Sequence, residues 1–184
     1  LPFAVWWEAA SLLEAWRRAQ TLGVQAGDAP QLVVEALAER RRSMIADFAR
    51  SSRELLTMAG VEVFAGRAYC AGPRTVMVLD PDTGDELESL DARHVLVATG
   101  TRPQPLEGFE RDGRLLLGTA DALALESVPR SMICVGSGPE ACNLALLFSI
   151  LGCRVTLLSD AARLLPGADA AVSDFVERRL IRVA

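Results

Sequence analysis

The stretch Ser131-Met132-Ile133-Cys134-Val135-Gly136-Ser137-Gly138-Pro139-Glu140-Ala141, continuing to Asp160, decides how the chain is read. Met132 to Val135 is an apolar, β-rich run too short for a buried helix, so it predicts a strand. Gly136-Ser137-Gly138-Pro139 follows it directly, then an apolar helix from Glu140 to Leu151 closed by Gly152, then a second strand from Arg154 to Leu158. Strand, turn, helix and strand within about 30 residues imply a parallel pair joined by a right-handed crossover.

A turn of this kind suits a pyrophosphate, which needs unpaired N–H groups at a helix N-terminus and a backbone free of Cβ atoms. Gly136 and Gly138 meet the two glycine requirements, and Ala141 takes the small position where helix packs on strand. Pro139 is tolerated at the first helical position, where the missing N–H has no intrahelical partner. Glu140 favours the helix dipole but sets a negative charge beside the phosphate pocket, and Asn143 is polar on an otherwise apolar helix. The residue that selects the ribose stands near the end of the second strand, which here means Ser159 or Asp160. An acid there favours NAD, whereas serine with a nearby arginine (Arg163) suits the 2′-phosphate of NADP, so the sequence leaves both open.

Outward from this unit, Val5 to Leu22 and about Gln31 to Ala59 have helical periodicity, stopped by Gly23 and Gly60. Arg40, Arg41 and Arg42 are expected on the wet side of the second helix. Beyond Gly60 the pattern alternates: Val61 and Val63, then Thr75 to Leu79, are expected as strands, with Asp80 to Asp85 as a hairpin turn before Glu86 to Leu90. His94 to Ala98 reads as an apolar strand ending at Thr99-Gly100, with His94 partly exposed and inert. Gln104 to Arg114 looks like a crossover between domains, and Asp121 to Leu125 like a short helix.

Composition narrows the function. The chain has 184 residues and a net charge of -5, which disfavours a nucleic-acid or anionic-membrane partner. Lysine is absent, which excludes a Schiff-base or Walker-type lysine within this sequence. The four cysteines have no metal-ligand spacing and are expected as buried, reduced thiols of a cytoplasmic protein. No apolar run is long enough to span a bilayer.

Two motifs in order, Val95-Leu96-Val97-Ala98-Thr99-Gly100-Thr101-Arg102-Pro103 and Ile133-Cys134-Val135-Gly136-Ser137-Gly138, resemble the FAD-dependent pyridine nucleotide–disulfide oxidoreductase family. Leu1-Pro2-Phe3-Ala4, Gly60 to Ala68 and Arg163 to Asp169 are similar to further family segments, so the likeness covers nearly the whole chain. It runs toward the soluble transhydrogenase and dihydrolipoamide dehydrogenase branches.

The resemblance implies an α/β fold made of parts of two Rossmann-like, three-layer domains with a small antiparallel β element. Residues 1–110 would be a partial FAD-binding domain and 111–184 a partial NAD(P)-binding domain of a longer parent. It also implies hydride transfer between NAD(P)H and FAD by a cytoplasmic homodimer, with Gly66, Ala68, Ala98, Thr99 and Gly100 on the FAD side. Gly136, Ser137, Gly138, Pro139, Glu140, Ser159 and Asp160 would form the NAD or NADP side. Ala4 stands where the family has a lysine beside the flavin, and the redox cysteine pair and catalytic histidine have no counterpart in the sequence. A degenerate, non-catalytic nucleotide-binding module is the alternative.

Overall fold

A computed structural model describes residues 2–25, 27–103 and 108–183. Two compact units emerge, one formed by Leu1–Ala46 with Pro105–Ala184 and the other by Asp47–Gln104. The division falls within the long helix α2 (Val34–Met58), three residues shorter at its start than the periodicity suggests.

The first unit holds helix α1 (Pro2–Thr21), the short α3 (Thr119–Ala122), strand β4 (Ser131–Val135), helix α4 (Pro139–Ile150), strand β5 (Arg154–Leu158) and helix α5 (Ala170–Val183). Strands β4 and β5 pair in parallel, with Ser131 opposite Arg154 and Val135 opposite Leu158. The two-residue side-chain period sorts the pair. Met132, Cys134, Val155 and Leu157 share one face, which holds the better-buried residues; Ile133, Val135 and Leu158 lie on the other and are exposed.

Helix α4 is apolar almost throughout, so it is a buried helix rather than an amphipathic one. Its Leu147, Phe148 and Ile150 form the core with Trp6 and Ala10 of α1 and with Cys153. Trp6 and Phe148 lie with ring centroids 6.0 Å apart. Polar groups complete the packing. The Arg17 guanidinium donates to the Ile150 carbonyl (2.7 Å) at the α4 C-terminus, where a cation suits the dipole. The Leu123 carbonyl, at the end of α3, accepts from the Trp6 indole N–H (2.9 Å) and from Arg41. Arg41 is therefore a structural donor, whereas Arg40 and Arg42 are exposed as expected. Helix α5, which the sequence reading did not anticipate, is joined to α1 by the Arg179–Glu14 ion pair.

The second unit is a three-stranded antiparallel sheet in the order β1 (Arg67–Cys70), β2 (Thr75–Leu79), β3 (Glu86–Asp91), together with the end of α2. The Asp80–Asp85 turn forms as the sequence implies: Asp80 Oδ1 accepts from the N–H groups of Asp82 (2.8 Å) and Thr83 (3.0 Å), and Gly84 takes φ +79°. Those backbone donors, Thr83 foremost, hold the Asp80 carboxyl below its ordinary range.

Two expected strands do not form. Val61 and Val63 lie in irregular chain, and so does His94 to Ala98, where Leu96 is 91% and Val97 69% exposed. A strand exists through its ladder, and among the described residues no neighbour pairs with 94–98. The run is apolar, but the partner that would turn it into a strand is what the described residues do not supply.

Candidate functional site

The site is built at the carboxyl end of the β4–β5 pair. There the Gly136 N–H donates to the Leu158 carbonyl (2.8 Å), which holds the glycine turn beside the end of β5. Gly136 has φ +130°, a conformation that side-chain-bearing residues avoid, and its missing Cβ would stand 3.5 Å from the Ala141 Cβ. Gly136 and Ala141 thus play the parts read from the sequence, a sharp turn and a close helix–strand approach.

Gly138 is glycine for a different reason. Its φ of -79° and ψ of 175° are open to any residue, and a Cβ there would meet nothing within 4 Å. Among the described residues nothing requires a glycine at this position. Gly138 is the N-cap of α4, its carbonyl accepting from Cys142 (3.1 Å), and Pro139 is the first helical residue. The N–H groups of Gly138, Glu140 and Ala141 find no acceptor among the described residues, as expected at a helix start. This is a cradle with free donors at the positive end of a dipole, and it fits a pyrophosphate.

Glu140 is turned to account locally, since its Oε2 accepts from the Thr119 hydroxyl of α3 (3.2 Å). Ser137 points its carbonyl at the Leu165 N–H (2.8 Å), an interaction no sequence signal announced. Ser159 and Asp160 follow β5 directly and are exposed. The Ser159 hydroxyl is engaged within its own turn, accepting from the Ala161 N–H (3.0 Å) and facing the Ala161 carbonyl (3.2 Å). Arg163 is likewise occupied by the Ala168 carbonyl (3.1 Å). Asp160 makes no such bond among the described residues.

The structure brings Gly136, Ser137, Gly138, Pro139, Glu140, Ser159 and Asp160 to one end of one unit. It does not gather the second set in the same way. Ala68 lies on β1, while Ala98, Thr99 and Gly100 lie in exposed irregular chain, Gly100 at φ +71°. Gly66 has an internal reason to be small, because a Cβ there would fall 2.5 Å from Val78 Cγ1 and 2.8 Å from the Leu79 carbonyl oxygen of β2. No hydrogen bond among the described residues joins Gly66 or Ala68 to Ala98–Gly100.

The cysteines are free. Cys134, Cys142 and Cys153 are buried but Cys70 is exposed, against the expectation for all four. Among the described residues no cluster of three or more His, Cys, Asp or Glu could hold a metal ion. Burial, followed by the neighbouring Cys153 and Cys142, pushes the Cys134 thiol up to about 11. Burial raises Cys142 and Cys153 as well. A thiolate is the reactive species, so an alkylating reagent should label Cys70 first and the other three only on unfolding, a pattern that peptide mass mapping reads directly. Because the folded state holds the Cys134 proton more tightly than the unfolded chain, its contribution is complete below pH 9 and is lost as pH rises toward 11. A denaturation midpoint that rose over that interval would contradict the assignment.

A parallel α/β unit whose glycine turn would suit a dinucleotide is what this geometry defines. Residues 17–183 match the sequence profile of the family described as pyridine nucleotide-disulphide oxidoreductase, and the chain belongs to that family. Dihydrolipoyl dehydrogenase of Chlorobaculum tepidum is 33% identical over 92% of this chain and 35% of its own length. Dihydrolipoyl dehydrogenase 2 of Haloarcula marismortui is 35% identical over 89% of this chain and 34% of its own. The crystal structure of LpdA from Mycobacterium tuberculosis superposes with a TM-score of 0.85 and 25% identity, covering all of this chain and 40% of LpdA. The chain therefore spans about a third of the length of these curated relatives, and its α/β fold corresponds to part of an FAD/NAD-binding architecture. Among the described residues no helix is long and apolar enough to cross a membrane.

Proposed function

We propose that this chain is the portion of a flavin-dependent oxidoreductase that receives a nicotinamide dinucleotide at Gly136–Gly138 for hydride exchange with FAD. The observation that carries the reading is Gly138: a glycine with ordinary dihedrals and open space at its Cβ, whose N–H is free at the start of α4. A phosphate approaching the backbone accounts for that glycine. Gly136 supplies the turn, Ser137 and Pro139 shape the helix entry, and Glu140, drawn to Thr119, borders the pocket.

The dinucleotide is NAD(H) in this reading. Ser159 and Arg163 are both engaged by backbone groups of their own loop, which leaves the Asp160 carboxylate to accept from a ribose hydroxyl and to repel a 2′-phosphate. In this proposal Gly66, Ala68, Ala98, Thr99 and Gly100 lie on the FAD side, with residues 1–110 contributing to FAD binding and 111–184 to NAD(H) binding, a reading that family membership supports. The flavin, when bound, supplies the redox chemistry, and the protein binds and orients both nucleotides. The whole protein acts as a cytoplasmic homodimer in this proposal, as a dihydrolipoamide-dehydrogenase-like or transhydrogenase-like enzyme.

The test is the absorption spectrum of the purified full-length protein. Flavin bands that bleach on adding NADH are expected, with NADH bound at least about tenfold more tightly than NADPH, a difference of about 1.4 kcal/mol. A colourless preparation that binds no nicotinamide nucleotide by calorimetry would overturn the reading. A colourless one that still binds NADH would instead establish a non-catalytic nucleotide-binding module.

A further inference from the structure

The glycine turn is held by a chain of contacts that begins two elements away. The Ser137 carbonyl accepts from the Leu165 N–H at 2.8 Å and faces the Cys142 thiol at 3.8 Å. Across a trans peptide the C=O and the next N–H point in opposite directions, and no peptide here is cis. Fixing the Ser137 carbonyl therefore fixes the Gly138 N–H, the free donor of the cradle, on the other side.

Leu165 reaches Ser137 from an unusual backbone. It has φ +50° and is the sole non-glycine residue at positive φ among those described. Such a conformation costs free energy and persists where the surroundings over-determine it. Those surroundings are on α5. The Leu164 N–H donates to Glu177 Oε1 (3.2 Å), and the Leu164 carbonyl accepts from the Ser173 hydroxyl. Ser173 is completely buried. The Ala168 N–H returns to the Leu165 carbonyl (2.8 Å) and Arg163 reaches the Ala168 carbonyl (3.1 Å), closing the 163–168 loop on itself.

We propose that Ser173 and Glu177 are positioning residues for the nicotinamide nucleotide, acting through Leu164 and Leu165 to aim the Gly138 N–H. The inference rests on the nucleotide reading of Gly136–Gly138 and adds a control point that touches no ligand. Helix α5 sets the loop, the loop sets the peptide, and the peptide sets the donor. Any change that shifts the start of α5 should be felt as nucleotide affinity.

The experiment is NADH binding by calorimetry to the full-length protein and its Glu177→Ala, Glu177→Gln and Ser173→Ala variants, with amide exchange at Leu165 followed in parallel. Glu177→Ala should weaken NADH about tenfold, the scale of one lost hydrogen bond, and expose the Leu165 amide to exchange. Glu177→Gln keeps an acceptor oxygen and should restore binding to within about twofold, a rescue that general loss of packing would not give. Ser173 is buried, so if Ser173→Ala does not fold the half-buried Glu177 carries the test. Glu177→Ala binding NADH as tightly as the unsubstituted protein would overturn the positioning role while leaving the nucleotide reading intact. An unsubstituted protein that binds no NADH would instead overturn both.

Discussion

Gly138→Val should lower NADH affinity by about 100-fold, roughly 2.7 kcal/mol, and leave the melting temperature close to that of the unsubstituted protein. The expectation follows from the difference between the two glycines. At Gly138 the backbone is extended (φ -79°, ψ 175°) and the added side chain meets no protein atom; a β-branched residue is at ease with such dihedrals. The fold therefore loses little, and the space filled is the space a pyrophosphate would enter. At Gly136 the φ of +130° makes any Cβ strained, so Gly136→Ala should lose about 1–3 kcal/mol of stability as well as affinity. Gly72→Ala is the control. A Cβ there meets only Thr75 Oγ1 at 4.0 Å, far from either end of α4 in sequence, and both stability and binding should be unchanged. Isothermal calorimetry and thermal melts on the three variants decide the matter. If Gly138→Val bound NADH within about twofold of the unsubstituted protein, the phosphate would have to be placed elsewhere.

How far the sequence could be read depended on the range of the interactions involved. The β4–α4–β5 unit was legible almost to the residue because its signals are local: an apolar run of strand length, Gly136 and Gly138 in a turn, Pro139 at a helix start and Gly152 after its end. The β2–β3 hairpin was legible for the same reason, Asp80 and Gly84 being turn residues by their own chemistry. His94 to Ala98 departs from the expected strand because strand formation is a two-body property, and hydrophobicity says nothing about which neighbour supplies the ladder. Helix α5 has polar and apolar residues in helical order from Ala170 onward, but the contacts that settle it, to Glu14 of α1 and to Leu164, lie outside its own sequence. Leu165 is the clearest limit. Nothing in a leucine advertises positive φ, so the tether from α5 to Ser137 became visible only with the hydrogen bonds of Leu164. Gly66 marks a limit of the opposite kind, since a small residue read as room for a ligand also makes room for Val78 and Leu79.

Phe148→Ala should cost the protein about 3–5 kcal/mol, a large share of the roughly 5–15 kcal/mol that keeps a domain folded. Phe148 is fully buried, as are Leu147 and Trp6 to within 2% exposure, so truncation opens a void in the middle of the cluster rather than at its margin. The neighbours can collapse into it only by moving. Trp6 is held in place by its indole bond to the Leu123 carbonyl, and the Ile150 backbone by the Arg17 guanidinium, which leaves little room for repacking. The loss also removes the tilted contact between the Trp6 and Phe148 rings, worth about 0.5–1.5 kcal/mol beyond area alone. Because α4 carries both Phe148 and the glycine turn at its start, unfolding this core dismantles the nucleotide cradle with it. The matched comparison is Phe48→Ala on α2, where the ring is 59% exposed and the change should stay within about 0.5 kcal/mol. Urea denaturation followed by Trp fluorescence measures both. Equal midpoints for the two variants would mean that the α1–α4 core does not hold this unit together.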